Sequence, residues 1–543
     1  MCPFVFSIAG LKYLMTSAAN VWWQSGTIYQ IYPRSFQDSN GDGIGDLAGI
    51  IGRLPYLRQL GIDAIWLSPI FPSPMADFGY DISDYIGIHP IFGTSDDFDA
   101  LVAAAHGAGL KIILDLVPNH TSDQHAWFLE SRSSRDNPKR DWYIWRDAKP
   151  DGSAPTNWMS EFGGSAWAWD ETTKQYYYHA FLDRQPDLNW RNPDVRDAIY
   201  EVMRFWLRRG IDGFRVDVIW HLIKDDEFRD NPLNPNYSAG RPPHESVLAL
   251  YSSDRPETLD VVSEMRRVVD EFDDRVLIGE VYLPVERLVA YYGRDLGGAH
   301  LPFNFALLSA PWNAHEIGDL IARYEAALPF GAWPNWVLGN HDRPRIASRV
   351  GAAQARVAAM LLLTLRGTPT LYYGDEIGMK QLPIPPDKVQ DPFEKNVPGI
   401  GVGRDGCRTP MQWGITENAG FTTGEPWLPL AEDFASNNAA VLASDPHSIL
   451  SLYVKLIDLR KHQPELVFGD YTPQPTAGDL LSYRRSYDGQ TLLVALNLGS
   501  SPQSMHVEGG EILLSTHLDR KGENVSGPLE LRADEGVIVR LRS

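Results

Sequence analysis

The sequence predicts an α/β protein built on a (β/α)8 TIM barrel, with a small domain (domain B) inserted after the third strand and a C-terminal antiparallel β domain. Three observations carry this prediction. Apolar runs alternate with helix-like stretches, one gap between runs is much longer than the others, and the residue pattern changes after about residue 468. Continuous apolar strands alternating with helices are typical of a parallel sheet buried on both faces, and eight strands close a barrel.

The eight strand-like runs are spread over residues 27–374. Seven are strongly apolar, and an eighth around HLPFNFAL (300–307) is weaker. The seven are TIYQIY (27–32), IDAIWLSP (62–69), KIILDLV (111–117), GFRVDV (213–218), VLIGEV (276–281), NWVLGN (335–340) and TPTLYYG (368–374). We therefore expect the barrel to comprise residues 18–117 and 190–468.

The third and fourth runs are separated by far more residues than one helix needs. The segment between them, including DWYIWRDAKPDGSAPTNWMSEFGGSAWAWD (141–170), is rich in Trp, Tyr, Asp, Gly and Pro. Long irregular insertions of this kind lie on the surface and often carry function. Residues 118–189 are therefore predicted to form domain B, above the carboxyl ends of the barrel strands.

The C-terminal segment alternates apolar and polar residues. LLSYRRSY and TLLVALNL are joined by Asp488 and Gly489, a hairpin turn signal. Residues 469–543 are therefore predicted to form the antiparallel β domain (domain C).

The N-terminal residues and the cysteines bear on where the protein works. Residues 1–17 are predicted to be an extension, and Met15 could be the natural start, which would make residues 1–14 an upstream segment. The extension lacks the basic start of a secretory signal, and its apolar runs are too short to span a bilayer. Cys2 and Cys407 form no disulfide or metal pattern. These features favour a cytoplasmic protein.

The charge balance restricts the partners. Forty-nine basic and 70 acidic residues give a net charge of −21. Nucleic acids and anionic membranes bind basic surfaces, so neither is expected as a partner. A small neutral molecule fits better as the ligand, with the protein acting as a monomer or homodimer.

Polar residues end several of the predicted barrel strands. The runs close with DLVPNH (115–120), GFRVD (213–217), IGE (278–280) and GNHD (339–342). In a (β/α)8 barrel the chemistry lies at these carboxyl ends. Clustered carboxylates without an obvious catalytic metal suit glycoside hydrolysis, in which one attacks the anomeric carbon and a protonated one donates to the departing oxygen.

Two of these carboxylates have distinct surroundings. Arg215 precedes Asp217 by two residues, so both side chains face the same side of the strand. The guanidinium should hold Asp217 ionised, as a nucleophile requires. Glu280 closes an apolar strand, where a raised pKa suits the acid role.

These segments also carry a resemblance to a known family. DLVPNH, GFRVDVIWH, LIGEV and VLGNHD resemble the four signature segments of the α-amylase superfamily, glycoside hydrolase family 13, in order and spacing. Further similar stretches are QPDLNW (185–190), QIYPRSF, GIDAIWLSPIF, FGYDISDY and RTPMQW. From about residue 21 to the end of the barrel, the chain resembles the α-glucosidase and oligo-1,6-glucosidase branch, and within it bacterial α-glucosidases.

The resemblance implies roles for particular residues. It makes Asp217 the nucleophile, Glu280 the acid/base and Asp342 the carboxylate that holds sugar hydroxyls in a retaining mechanism. It implies that Asp77 and Arg408 grip the non-reducing end, that Tyr80 stacks on the sugar ring, and that hydrogen bonds to the sugar come from His120, Arg215 and His341. The alternative for the two histidines is a structural or metal-ligand role. A closed, glucose-sized pocket acting at chain ends follows.

The preferred linkage is less sharply indicated. Val218 follows the nucleophile, and valine there is associated with α-1,6-acting members. The run VDVIWHLIKDDEFRDNP instead resembles bacterial α-glucosidases that act mainly on α-1,4 bonds, and a methyl-for-hydroxyl difference discriminates weakly. We therefore expect an α-glucosidase acting on short α-glucosides such as maltose, with transglucosylation as a second activity. Oligo-1,6-glucosidase is the alternative, and trehalose-6-phosphate hydrolase and sucrose isomerase are near relatives.

A non-enzymatic alternative comes from the same superfamily, since transporter heavy chains reuse the fold. They need a transmembrane helix and lack the catalytic acids. The apolar runs here are too short to span a bilayer, and Asp217, Glu280 and Asp342 are present.

The stretch DSNGDGIGD (38–46) predicts a structural cation site. Asp38, Asn40, Asp42, Ile44 and Asp46 fill positions one, three, five, seven and nine of a calcium-loop template. Position twelve, where a calcium sensor needs a bidentate Glu, is Gly49. We expect structural Ca²⁺, with Mg²⁺ or an Asx-rich turn without metal as alternatives, and no organic cofactor.

Overall fold

The computed structural model describes residues 21–542 of the 543-residue chain. The predicted extension over residues 1–17, the alternative start at Met15 and the thiol of Cys2 lie outside the described residues. Cys407 is a buried thiol.

The strands and helices occur in the order that the sequence predicts. The strands are β1 (Ile28–Ile31), β2 (Ala64–Leu67), β3 (Lys111–Leu116), β4 (Trp145–Arg146), β5 (Trp167–Asp170), β6 (Gln175–Tyr178), β7 (Gly213–Val216), β8 (Val276–Val281), β9 (Leu301–Asn304), β10 (Asn335–Val337), β11 (Thr368–Tyr372), β12 (Asp470–Pro473), β13 (Leu480–Tyr487), β14 (Gln490–Asn497), β15 (Gln503–Ser515), β16 (Asn524–Leu531) and β17 (Gly536–Leu541).

The helices are α1 (Trp22–Ser25), α2 (Pro33–Phe36), α3 (Leu47–Leu60), α4 (Ser95–Gly107), α5 (Ala126–Ser133), α6 (Pro193–Arg208), α7 (Thr258–Val269), α8 (Val285–Leu288), α9 (Ala306–Ser309), α10 (Ala314–Ala327), α11 (Ile346–Val350), α12 (Ala352–Thr364), α13 (Pro392–Asn396), α14 (Ala439–Ser444), α15 (Ile449–His462) and α16 (Pro464–Phe468). Several begin with a side-chain cap. In α4, Thr94 accepts the N–H of Asp97 while the Asp97 side chain accepts the N–H of Thr94.

The central sheet has eight parallel strands in the order β10-β11-β1-β2-β3-β7-β8-β9. The two edge strands, β9 and β10, meet through the side chain of Asn335 on β10. Its Nδ2 donates to the carbonyl of Pro302 at 2.5 Å, and its Oδ1 accepts the N–H of Asn304 at 2.9 Å. The prediction of a (β/α)8 barrel is confirmed, and the weak eighth run forms β9.

Alternate residues of the barrel strands point inward. Ile28, Trp66, Ile113, Ile278 and Phe303 belong to one buried apolar cluster, while the intervening residues pack against the surrounding helices. Because side chains alternate along a strand, this inward series continues to polar residues at the carboxyl ends of the strands. The site is therefore built directly on the barrel core.

Domain B contains a small antiparallel sheet in the order β4-β6-β5. An aromatic cluster including Trp158, Trp167 and Tyr178 packs beside this sheet. The segment lies between β3 and β7, inside the range predicted for the insertion.

Domain C is a six-stranded antiparallel sheet in the order β12-β13-β14-β17-β15-β16. The predicted hairpin is β13 and β14, and its turn residues Asp488 and Gly489 have φ of 46° and 76°. Positive φ at both central residues is the requirement of a tight hairpin turn.

Within residues 21–542, none of the helices has the length and apolar character that a bilayer crossing requires.

Candidate active site

A cavity of about 630 Å³ opens at the carboxyl ends of the barrel strands. Most of the residues predicted for the site line it: Asp77, Tyr80, His120, Asp217, Glu280, His341 and Asp342. The structure therefore brings together side chains that are up to 265 positions apart, from Asp77 to Asp342. Arg215 and Arg408 are buried directly behind them.

Arg215 lies at the centre of the buried acids. Its Nη1 donates to Asp115 Oδ1 and to Asp217 Oδ1, each at 2.8 Å. Its Nη2 lies 2.8 Å from Oε2 of Glu280, without hydrogen-bond alignment. One guanidinium thus faces three carboxyl groups, and it also lies over the face of Trp66.

Asp217 and Glu280 form a buried pair, with an oxygen of each carboxyl group 2.8 Å from a nitrogen of the same Arg215 guanidinium. Burial raises the pKa of Asp217, the charge of Glu280 raises it further, and Arg215 opposes both effects. Burial also raises the pKa of Glu280 against the opposing charge of Arg215. The predicted Arg215–Asp217 contact is present, but burial outweighs it and the net pKa shift of Asp217 is upward.

The charge balance explains how the pair can still work. Burial raises the pKa of Asp115 to about 6, although Arg215 lowers it. Because one positive charge serves three carboxyl groups, the Asp217–Glu280 pair keeps a proton to higher pH than free carboxyl groups do. When Glu280 holds that proton, Asp217 is an anion stabilised by Arg215.

Val218 links the two carboxyl groups through its backbone. It has φ 38° and ψ 45°, in the left-handed region that a β-branched residue rarely adopts. In this conformation its N–H donates to Oε2 of Glu280 at 2.9 Å. A strained backbone conformation persists only where the surrounding contacts hold it in place. Here the strained conformation of Val218 fixes the orientation of Glu280 relative to Asp217.

Asp342 is held ionised on the opposite wall of the cavity. Burial raises the pKa of Asp342, but the neighbouring His341, Arg404 and Arg408 together lower it by more, so the net shift is downward. Burial lowers the pKa of His341 to about 3, so this ring is neutral near neutral pH. The two arginines therefore supply the positive charge, with Arg408 Nη2 2.9 Å and Arg404 Nη1 3.3 Å from Asp342 Oδ1.

Asp77 forms its ion pair with Arg404. The prediction that Asp77 and Arg408 grip the non-reducing end of the sugar stays a prediction. Arg404 Nη2 donates to Asp77 Oδ1 at 2.7 Å and to Asp391 Oδ1 at 2.6 Å. Arg408 is instead buried behind the cavity, where its Nε donates to the carbonyl of His341 at 2.8 Å. The two arginines are four residues apart, and the backbone turn between them presents the first one to the cavity.

Tyr80 and the two histidines form the inner wall. The Tyr80 ring stacks on His341 with centroids 5.3 Å apart, and its hydroxyl donates to Asp115 Oδ2 at 3.1 Å. His120 Nε2 lies 3.0 Å from the carbonyl of Tyr80, and burial lowers its pKa to about 4. The ring of His120 is therefore neutral near neutral pH.

Sequence reasoning missed four residues that organise this wall. They are Asp115, Arg404, Gln185 and Gln30. Asp115 is the first residue of DLVPNH, so the sequence contained a polar residue that could have indicated its place in the site. Gln185 donates towards the Tyr80 carbonyl at 3.2 Å, and Gln30 Nε2 lies 2.8 Å from His341 Nδ1.

The DSNGDGIGD loop is folded around its own carboxylates. Asp38 Oδ1 accepts the N–H groups of Asn40 and Gly41, and Oδ2 accepts that of Gly43, each at 2.8 Å. Asp46 accepts the N–H of Gly49 at 2.6 Å and caps α3. Burial raises the pKa of Asp38, but hydrogen bonds from Thr422 and these amides lower it more.

The groups of the loop that could bind a metal ion all present oxygen atoms. They are the carboxylates of Asp38, Asp42 and Asp46, the side-chain amide of Asn40 and the backbone carbonyl of Ile44. This chemistry fits a hard cation such as Ca²⁺ or Mg²⁺. No group of three or more His, Cys, Asp or Glu side chains stands in metal-binding positions anywhere in residues 21–542. The cation site therefore stays a prediction.

A (β/α)8 barrel whose strand ends gather three carboxyl groups around one buried arginine is the architecture of a glycoside hydrolase. The chain belongs to the alpha-amylase family, because the family model described as "Alpha amylase, catalytic domain" matches residues 30–469.

Relatives cover nearly the whole chain. It is 44% identical over 493 residues to a probable alpha-glucosidase of Rhizobium meliloti, covering 88% of this chain and 89% of the relative. It is 43% identical over 517 residues to an oligo-1,6-glucosidase of Halalkalibacterium halodurans, covering 88% and 90%. The crystal structure of the alpha-glucosyl transfer enzyme XgtA superposes with a TM-score of 0.91 at 42% identity, covering 96% of this chain and 99% of that one.

Proposed function

We propose that this protein is a retaining, exo-acting α-glucosidase that releases α-glucose from the non-reducing end of short α-glucosides such as maltose. The observation that carries the proposal is the Asp217–Glu280 pair held by Arg215 and the Val218 N–H. Carboxyl groups about 5–5.5 Å apart retain the anomeric configuration, and wider spacings of about 6.5–9.5 Å invert it. Two carboxyl groups that each lie 2.8 Å from the same guanidinium are close together, and this favours retention.

In the first step, the ionised Asp217 attacks the anomeric carbon while Glu280 donates its proton to the glycosidic oxygen. The carbon–oxygen bond to the leaving group breaks, the leaving group departs as an alcohol, and a glucosyl ester forms on Asp217. Positive charge develops on the sugar ring, and Asp342, held ionised by two arginines, is placed to stabilise it.

In the second step, the ionised Glu280 takes a proton from water, which attacks the anomeric carbon. The ester bond breaks, α-glucose is released, and Asp217 is again an anion. An alcohol can replace water at this step, so transglucosylation is the second activity that the same chemistry supports.

Exo-action is supported by an ion pair in the lining of the cavity. Asp77 and Arg404 both line the cavity and contact each other at 2.7 Å, and Arg404 is also held by Asp391. Carboxylate and guanidinium groups in this position suit the hydroxyls of a terminal glucose. A chain end can enter, while a mid-chain unit would meet this ion pair.

The linkage preference is proposed as α-1,4, with α-1,6 as the second candidate because of Val218 and the oligo-1,6-glucosidase among the relatives. Comparing kcat/KM for maltose and isomaltose on purified protein tests the proposal. Higher turnover of maltose is expected, and a clear isomaltose preference would reverse the assignment. Trehalose-6-phosphate and sucrose belong in the same panel, since hydrolysis of the first or isomerisation of the second would identify the other branch activities.

The loop over residues 38–46 is proposed to bind Ca²⁺, or Mg²⁺, through Asp38, Asn40, Asp42, Ile44 and Asp46. A bound cation would add rigidity to the loop that precedes α3, and none of the chemical steps depends on it. A cytoplasmic location and the choice between monomer and homodimer stay predictions.

A further inference from the structure

The outer part of the catalytic cavity contains a carboxylate that the proposed mechanism does not use. Glu161 of domain B lines this outer part, and its side chain is 32% exposed. A tight turn holds it in place. The Ser160 N–H donates to the Gly164 carbonyl and the Gly163 N–H to the Ser160 carbonyl, each at 3.0 Å. The Glu161 N–H donates to the Ala180 carbonyl at 2.9 Å.

The nearest basic groups to Glu161 are histidines. His244 Nε2 lies 3.3 Å from Oε2, and His221 Nε2 lies 4.0 Å from Oε1. Burial lowers the pKa of His221 well below its usual value, so that ring is neutral. The ion-pair partners of this partly exposed carboxylate are thus histidines, which are weaker bases than lysine or arginine.

The other charged groups of the outer cavity are largely occupied elsewhere. Burial raises the pKa of Glu161 and the charges of His244 and Arg343 lower it, but Arg343 also lies over the ring of Tyr282 at 5.0 Å, and the charges of Asp342 and Glu280 act on it. Glu245 forms an ion pair with Arg241. Among the described residues, Glu161 has neither a lysine nor an arginine as an ion-pair partner, so its negative charge is available to an incoming group.

The lining as a whole has more acids than bases. The acids are Asp77, Glu161, Asp217, Glu245, Glu280 and Asp342, and the arginines are Arg343 and Arg404. A cleft lined by one sign of charge focuses the field along its length. An anionic leaving group or acceptor would be repelled, and a neutral or cationic one would not.

We propose that Glu161 determines the charge of the leaving group and acceptor, so that neutral or cationic aglycones are used and anionic ones are disfavoured. The inference rests on the proposed α-glucosidase function, because it concerns the group that leaves when glucose is transferred. It also predicts that phosphorylated disaccharides are poor substrates.

The test uses three aryl α-glucosides that differ in charge at the same position: 4-carboxyphenyl, 4-carbamoylphenyl and 4-(aminomethyl)phenyl α-glucoside. Burial raises the pKa of Glu161, although His244 lowers it, so the assays are run on the alkaline side of neutral, at about pH 7.5, which favours the ionised form. The ratio of kcat/KM for the carbamoyl to the carboxyl substrate is measured in the wild type and in Glu161→Gln. We expect this ratio to fall by about tenfold in the variant, because the focused charge is removed. The kcat/KM for the aminomethyl substrate should fall relative to the carbamoyl one.

Glu171→Gln is the matched control, since it removes one negative charge from an exposed turn of the same domain and should leave the ratio unchanged. An unchanged ratio in Glu161→Gln, or an equal loss with all three glucosides, would overturn the proposal. If Glu161→Gln does not fold, the proposal is tested with the wild type by measuring how its preference for the carbamoyl over the carboxyl substrate depends on salt. Raising the salt from about 0.02 M to about 0.5 M should shrink the discrimination, and a ratio insensitive to salt would overturn it. If the wild type hydrolyses neither maltose nor the carbamoyl glucoside, it is the proposed function that fails.

Discussion

At the scale of single residues, the chemistry depends on the single positive charge of Arg215 being shared by three carboxyl groups. A guanidinium shared by Asp115, Asp217 and Glu280 cannot keep all three ionised in a buried site, so a proton stays within the cluster. The proton on one carboxyl and the charge on the other are the two features that a double displacement requires.

The first prediction concerns pH. Asp217 must be ionised, so kcat/KM should fall as the pH drops below the lower pKa of the pair. Glu280 must be protonated, so kcat/KM should fall as the pH rises above the higher one. Burial raises both pKa values, so both limbs of the profile should lie above the ordinary carboxyl range of about 4.

Glu280→Gln provides the control for the pH profile. It cannot titrate, so with a substrate whose leaving group needs no proton the basic limb should disappear while the acidic limb stays. A basic limb that persists would assign it to another group.

The second prediction concerns Arg404, whose planar guanidinium contacts Asp77, Asp391 and Asp342 at once. Lysine keeps the charge but cannot make these divergent contacts. Arg404→Lys should lower kcat/KM for maltose by about 10–100-fold, mainly through KM, because the terminal glucose loses its binding wall. Steady-state kinetics separates the two constants, and a loss confined to kcat would contradict a binding role.

The residues of the site were predictable where the sequence itself brings functional groups into register. Arg215 and Asp217 lie two apart on one strand, and Glu280 closes another, so their convergence follows from strand alternation. The choice between Arg404 and Arg408 does not follow, because a backbone turn decides which of them faces Asp77. The contacts of Gln30 and Gln185 were also hidden, since they join segments far apart in the chain.

At the scale of elements, the barrel strands position the catalytic residues, and the segments that join the strands hold the strands in place. Val218 shows this, because its strained backbone lies two residues beyond the end of β7 and its N–H donates to Glu280 on β8. The eight strands were predictable from apolar runs. Their closure through the side chain of Asn335 was not, since a polar residue inside a strand does not reveal its partner.

The third prediction concerns the junction of α12, α16 and domain C. Arg485 on β13 is fully buried and donates to the carbonyls of Thr364, Leu466 and Gly469. Arg485→Met would remove the Arg485 donor from each of these carbonyls, although that of Leu466 would still accept from Arg460 Nη1 at 2.9 Å. The substitution should lower the free energy of unfolding by about 3 kcal/mol. Urea denaturation measures this loss.

Arg484 is the matched control, because it is the neighbouring residue on β13 and is exposed. Arg484→Met should change stability by less than about 0.5 kcal/mol. Equal effects of the two substitutions would show that the buried carbonyl contacts of Arg485 are not what stabilises the junction.

At the scale of the whole molecule, the loop over residues 38–46, which does not line the catalytic cavity, is the candidate for cation-dependent stability. The fourth prediction is that excess chelator lowers the melting temperature by about 2–5 °C, since a ligand at 100 times its Kd stabilises by about 2.7 kcal/mol. Asp42→Asn should reduce this shift. Calorimetry with and without Ca²⁺ measures the melting temperature of the wild type and of the variant. A melting temperature that does not change with chelator would contradict the proposed cation site.

The covalent intermediate tests the central claim most directly. In Glu280→Gln, α-glucosyl fluoride can react because fluoride leaves without a proton, while water then lacks its base, so the glucosyl ester should accumulate. Peptide mass spectrometry should find one added glucosyl residue on Asp217, and the wild type should release α-glucose first by NMR. A glucosyl label on another residue, or β-glucose as the first product, would contradict a retaining mechanism with Asp217 as the nucleophile.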